Sequence, residues 1–278
     1  MATFVADGSS STPPPTHTTL LLRERAGLVV YTGPPSITPA DDSKPFTTSP
    51  IDLPSITGAT VRLAPLYSSD GTYLALAKES IALCSPTGEV VCEIPCTDNS
   101  WMEFSPKSSY VITWSKPITT SSGTAPTGNL KIWETASGRM VASFFQKSFK
   151  RDAVQFTADE RYCCRSVSNE VHLLTTAEFS PTTPNPIAAK VHHKGVTQFR
   201  IAPVPLADGS LVVAVFNAEN GGNPARATLY KFSPKTGAVD GPVSSRTMFA
   251  ASEANLLFNS TGTALLVHTQ CDVDHSNR

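Results

Sequence analysis

Gly128 to Phe145 reads GNLKIWETASGRMVASFF. Leu130, Ile132 and Trp133 are bulky strand formers, Ala136-Ser137-Gly138 is a tight turn, and Met140 to Phe145 resumes an apolar strand pattern, so the segment predicts one β-hairpin. A lone hairpin buries too little apolar surface to stand in water, so the unit is expected to recur.

The same order does recur: an aromatic residue, a Ser-rich or charged turn, an apolar strand, a second strand, a Gly turn and a final apolar strand. The copies run Val61 to Pro95, Ser100 to Gln146, Asp152 to Phe179 and Gly195 to Thr247, and a fifth starts at Ala254 and gives only two strands before Arg278. The aromatics Tyr67, Phe104, Phe156, Phe199 and Phe258 stand about 37 to 59 residues apart, bracketing the ~40–50 residues of a propeller blade. With Trp133 they are the expected structural anchors between blades. Trp-Glu before a glycine turn is close to the Trp-Asp ending of a WD repeat, where the third strand of a blade stops and the fourth begins. The expected fold is all-β: a WD-type β-propeller of about four complete blades plus a partial one.

Upstream, Met1 to Thr19 is rich in Ser, Thr and Pro and reads as a disordered tail before the partial propeller of residues 20–278. Leu20-Leu21-Leu22 and Leu28-Val29-Val30-Tyr31 predict an N-terminal hairpin, closed by Gly33-Pro34-Pro35. Ser36 to Pro54 is polar and proline-studded, the pattern of a long loop.

Of 278 residues, 40% are hydrophobic and 16% charged, with 23 prolines and 16 glycines, a β-rich and turn-rich composition. The formal charge of −1 lacks the basic excess of an autonomous nucleic-acid binder, while leaving room for a local basic patch. The six cysteines form neither a small-domain disulfide framework nor paired CxxC motifs, so reduced thiols are expected. The longest apolar run, Leu211 to Phe216, is far short of the roughly 20 residues that span a bilayer, and a soluble, cytoplasmic chain without a membrane partner is expected.

No GxSxG, HExxH, GxxxxGK[ST] or GxGxxG occurs, and the expectation is a non-enzymatic protein without cofactor. His192-His193 and Cys163-Cys164 lack metal-ligand spacing, so no metal is expected. Asp70, Asp159 and Asp208 fall in turns, where a short carboxylate holds its own backbone. The local basic concentration is Lys147, Lys150 and Arg151 between the second and third repeats, with Lys131 and Arg139 on the preceding hairpin. These five are candidate RNA or ribosome contacts through phosphate, against the alternative of a solvated loop.

The run EFSPKSSYVITWSKPITTSSGTAPTGNLKIWETASGRMVASFFQKS at 103 to 148, SNEVHLL at 168 to 174 and the Gly33-Pro34-Pro35 stop resemble the eukaryotic translation initiation factor 2A family, over about Leu20 to Asp274. The resemblance implies the N-terminal part of a larger, nine-bladed propeller, in a truncated chain that ends at HTQCDVDHSNR. A five-bladed ring, closed by the N-terminal hairpin on Asn255 to His268, is the alternative. It also implies delivery of initiator methionyl-tRNA to the small ribosomal subunit, with mRNA and other initiation factors as further partners. The competing function is a WD-repeat protein scaffold without an RNA role, including a propeller like that of the propeller-bearing component of initiation factor 3, whose RNA-recognition domain has no counterpart here.

Overall fold

The computed structural model describes residues 18–25, 27–33, 56, 60–86, 88–117, 128–180 and 187–271. Among them the chain forms a hairpin, β1 (Thr18–Glu24) with β2 (Gly27–Gly33), and then four four-stranded antiparallel sheets. The first holds β3 (Leu66–Tyr67), β4 (Leu74–Ala77), β5 (Ile81–Cys84) and β6 (Val90–Ile94); the second holds β7 (Asn99–Phe104), β8 (Tyr110–Ser115), β9 (Leu130–Glu134) and β10 (Met140–Phe144). The third holds β11 (Val154–Phe156), β12 (Tyr162–Val167), β13 (Glu170–Thr175) and β14 (Ile187–His192). The fourth holds β15 (Gln198–Ile201), β16 (Leu211–Asn217), β17 (Ala225–Phe232) and β18 (Val239–Met248), and a half-sheet of β19 (Glu253–Phe258) and β20 (Leu265–Gln270) follows. In every sheet the strands neighbour one another in chain order, the meander of a propeller blade.

Alternation along the strands decides how the blades stack. In the first blade Leu74, Leu76, Ala82 and Cys84 pack on Leu28 and Val30 of the hairpin, while Ala75, Ala77, Ile81 and Leu83 pack on Met102, Val111 and Trp133 of the second blade. Adjacent Cys163 and Cys164 divide in the same way: the first joins the seam of blades two and three, the second the seam of blades three and four. A fifth seam sets Ala214, Phe216 and Ala227 against Ala254 and Leu256 of the half-sheet.

The innermost strands and the turns that follow them are also joined by hydrogen bonds. Ser69 Oγ donates to Pro106 O (2.5 Å), Lys107 N to Glu160 Oε1 (2.5 Å) and Ala158 N to Pro203 O (2.7 Å), each reaching the next blade. These strands line an axial hollow of about 640 Å³.

The structure differs from the sequence reading in three respects. The third repeat does not end at Phe179: β14 completes its blade beyond the proline-rich segment 181–186, which lies outside the described residues. β1 begins at Thr18, inside the stretch read as tail, whose residues 1–17 lie outside the described residues, as does the whole of the proposed long loop, residues 36–54. The five-bladed closure does not form, because β1–β2 and β19–β20 are separate sheets. Leu257 and Leu266, paired across the half-sheet, are left exposed on it.

Tyr67, Phe104, Phe156 and Phe258 each end an innermost strand, but Phe199 lies inside β15, because the fourth blade turns later, where Leu206 N meets Ser210 O. Phe156 and Phe199 are buried, Phe104 and Phe258 half-buried, and Tyr67, 40% exposed, lines the axial hollow rather than a core.

Trp133 is buried between the first two blades and donates its indole N–H to Thr113 Oγ1 at 2.9 Å. Gly138, which follows it in the hairpin turn, has φ 67°, and a β-carbon there would stand 2.6 Å from Glu93 O of the first blade. Glycine is thus required both by the backbone conformation and by the seam. Trp133→Ala is expected to cost about 3–5 kcal/mol in chemical denaturation.

The turn carboxylates act on their own loops. Asp70 Oδ1 accepts from Ser68 Oγ (2.6 Å) and Thr72 N (3.1 Å), Asp159 Oδ1 from Thr157 Oγ1 (2.6 Å) and Arg161 N (3.1 Å), and Asp208 Oδ1 from Ser210 Oγ (2.5 Å) and Ser210 N (3.0 Å). Desolvation pushes the Asp70 carboxyl up, but the hydrogen bonds from Ser68 and Thr72 outweigh it and hold the group at about 2. Its charged form therefore stabilises the fold above its unfolded value of about 3.9, and that contribution is lost as pH falls through about 2. Asp70→Asn is expected to be less stable than the parent at neutral pH, with the gap closing between about pH 4 and pH 2 in a urea-denaturation series.

Candidate nucleic-acid interface

Because the innermost strands run in one direction, the connections between blades gather at one end of the molecule, and the turns after the innermost strands gather at the other. The connection of residues 145–153 joins β10 to β11 at the first of these ends. The buried Asn129 side chain holds its start: Gln146 N donates to Asn129 Oδ1 (2.8 Å), and Asn129 Nδ2 donates to Gln146 O (3.0 Å). Its end turns back through Ala153 N to Lys150 O (3.1 Å).

Between these fixings Phe149 rests on two indoles. Trp101 and Trp114, paired across β7 and β8, lie with ring centroids 5.6 Å and 5.3 Å from it, at interplanar angles of 61° and 55°. Even so, Phe149 stays 44% exposed. Lys147, Lys150 and Arg151, all exposed, surround it in the chain. Lys150 Nζ reaches Thr197 O at 3.4 Å, tying the loop to the start of the fourth blade.

That contact adds a cation from far along the sequence. Arg200 of β15 lies 3.4 Å from Asp152 Oδ1, and Lys150, Arg151 and Arg200 line a cleft of about 270 Å³. Behind the loop, Arg165 donates to Phe145 O (3.2 Å) and lies 4.3 Å from the Phe144 ring centroid; its burial pushes the guanidinium down from its ordinary value. On the axial side, burial pushes the Glu103 carboxyl up, with the charge of Asp152 adding to it and Arg151 and Arg200 opposing. Asp152 and Glu103 are thus the carboxylates that interact with Arg151 and Arg200 here.

The structure gathers only part of the sequence-derived set. Lys147, Lys150 and Arg151 come together. Lys131 lies on the other side of the second sheet, its Nζ 5.7 Å from the Trp133 ring centroid, and Arg139 sits at the opposite end of the blade, paired with Glu134 at 3.7 Å. Sequence reasoning missed Phe149, although KSFKR carries an aromatic among its cations, and Arg200, for which only the blade seam supplies the connection.

Among the described residues no three His, Cys, Asp or Glu side chains converge as metal ligands. His193 bonds Tyr230 Oη through Nδ1 (2.7 Å) and Asn217 Oδ1 through Nε2, while burial raises the Cys163 and Cys164 thiols far above reactivity. No helix among the described residues is long and apolar enough to cross a membrane.

Asn129→Ala removes both hydrogen bonds to Gln146, a change of roughly 1–3 kcal/mol. Hydrogen exchange is expected to quicken across residues 146–151 while β8 and β9 stay protected.

No family model matches the chain. It is 34% identical over 214 residues to eukaryotic translation initiation factor 2A of Schizosaccharomyces pombe, covering 76% of this chain and 35% of that protein. It is 29% identical over 233 residues to the Dictyostelium discoideum factor of the same name, covering 82% and 36%. The chain thus spans about a third of the length of these relatives. One component of eukaryotic translation initiation factor 3 from Aspergillus terreus is 26% identical over 232 residues, 72% of this chain and 30% of that protein. The crystal structure of a eukaryotic initiation factor superposes with a TM-score of 0.72 at 25% identity, over 92% of this chain and 58% of that one.

Proposed function

We infer that this chain, which belongs by sequence to the eukaryotic translation initiation factor 2A family, takes part in starting protein synthesis as a non-enzymatic, cytoplasmic RNA-contacting platform. The observation that carries this reading is the 34% identity to the fission-yeast factor over 76% of the chain. The blades supply a rigid frame, and the connection at 145–153 supplies the contact, with Lys147, Lys150, Arg151 and Arg200 placed for phosphate oxygens. The finer reading, by family resemblance, is delivery of initiator methionyl-tRNA to the small ribosomal subunit, alongside mRNA and other initiation factors.

A second reading, a WD-type protein scaffold, draws on the similarity to the initiation factor 3 component and on exposed Leu257 and Leu266. The two readings separate by salt. Phosphate contacts release counterions, so affinity falls steeply as salt rises, by a log–log slope of about 0.7–0.9 per contact. Co-sedimentation of the chain with small ribosomal subunits is expected to be lost as salt rises. Reversing Lys147, Lys150 and Arg151 to Glu is expected to weaken it and shallow the slope by roughly 2–3, whereas Lys235→Glu at the opposite end leaves it unchanged. Association insensitive to salt and to the triple reversal would establish the scaffold instead.

A further inference from the structure

We propose that Phe149 is a stacking platform for an unpaired RNA base, so that this end of the molecule selects single-stranded RNA over duplex. The proposal rests on the RNA-contacting reading above and extends it from charge to structure.

Phe149 sits in a loop held at both ends, by Asn129 at Gln146 and by Lys150 O at Ala153. An unconstrained Phe on such a loop would turn into the nearby seam. Trp101 and Trp114 instead support it from below at 5.6 Å and 5.3 Å and leave it 44% exposed. This support orders the ring before any ligand arrives, which removes part of the entropic cost of binding.

The surroundings define the ligand. Lys147, Lys150 and Arg151 lie within two residues of the ring in the chain, and Arg200 flanks the adjoining cleft with Lys150 and Arg151. An aromatic face among cations fits an unpaired base whose flanking phosphates meet the lysines and arginines. An A-form duplex keeps its bases stacked internally and offers this ring nothing, although its phosphates still meet the cations.

The test uses the 278-residue chain, a fluorescent 12-nucleotide oligouridylate and a blunt RNA duplex of equal length, compared by anisotropy at low salt. Phe149→Leu keeps an apolar contact with the indoles but removes the flat ring, and Phe149→Tyr restores the ring. Leu is expected to weaken oligouridylate binding roughly tenfold and to leave the duplex unchanged, with Tyr close to the parent. Equal binding of the parent to both RNAs, an equal loss on both RNAs with Leu, or no loss with Leu, would overturn the stacking role. The RNA-contacting reading still stands in those cases if the triple charge reversal weakens ribosomal co-sedimentation and shallows its salt slope. Absence of any RNA or ribosomal association by the parent overturns both. Photocrosslinking of a 4-thiouridine-containing oligonucleotide to the unsubstituted chain reads the same point independently of any variant's folding. Crosslinks within 147–151 support the platform, and crosslinks confined elsewhere overturn it.

Discussion

Everything in this molecule depends on the sharing of each sheet's two faces between neighbours. A four-stranded meander with apolar residues on both sides is unstable alone, and here the first blade divides its faces between the β1–β2 hairpin and the second blade. Cys163 and Cys164 show the rule at its smallest scale, consecutive residues buried in different seams. At the half-sheet the rule is only half satisfied among the described residues, and Leu257 and Leu266 stay exposed.

The candidate interface is a by-product of the same packing. The Trp101–Trp114 pair belongs to the seam of the second and third blades, and where that seam reaches the end of the molecule it becomes the support for Phe149. Lys150 and Arg200 are neighbours only because the third and fourth blades are. A seam supplies rigidity, a connection supplies exposure, and their junction gives cations a fixed place to act from.

Much of the fold could be read along the chain. Period-two alternation, the Asp turns and the glycine of the Trp133 hairpin are local signals, because strand burial and turn geometry are set within a few residues. The reading failed where the signal was not local. The strand β14 follows a proline-rich interruption, and its six residues alternate too weakly to announce a strand by themselves. Phe199 matched the aromatic spacing, yet the extra residues before the Leu206 turn shift it into mid-strand. Of the five cations, Lys131 and Arg139 sit on the same hairpin in sequence, but alternation and strand length carry one to the other side of the sheet and the other to the far end of the blade.

The sequence by itself determined that the chain is a run of β-meanders with Trp133 and its glycine turn at the centre, and which family its residues resemble. Those properties are encoded in residue type and short spacing. Tertiary structure alone decided that β1–β2 and β19–β20 remain separate sheets, that Arg200 joins Lys150 and Arg151, and that Phe149 is supported but left exposed. Each of these depends on side chains dozens of residues apart meeting across a blade seam, and no pattern along the chain specifies that meeting.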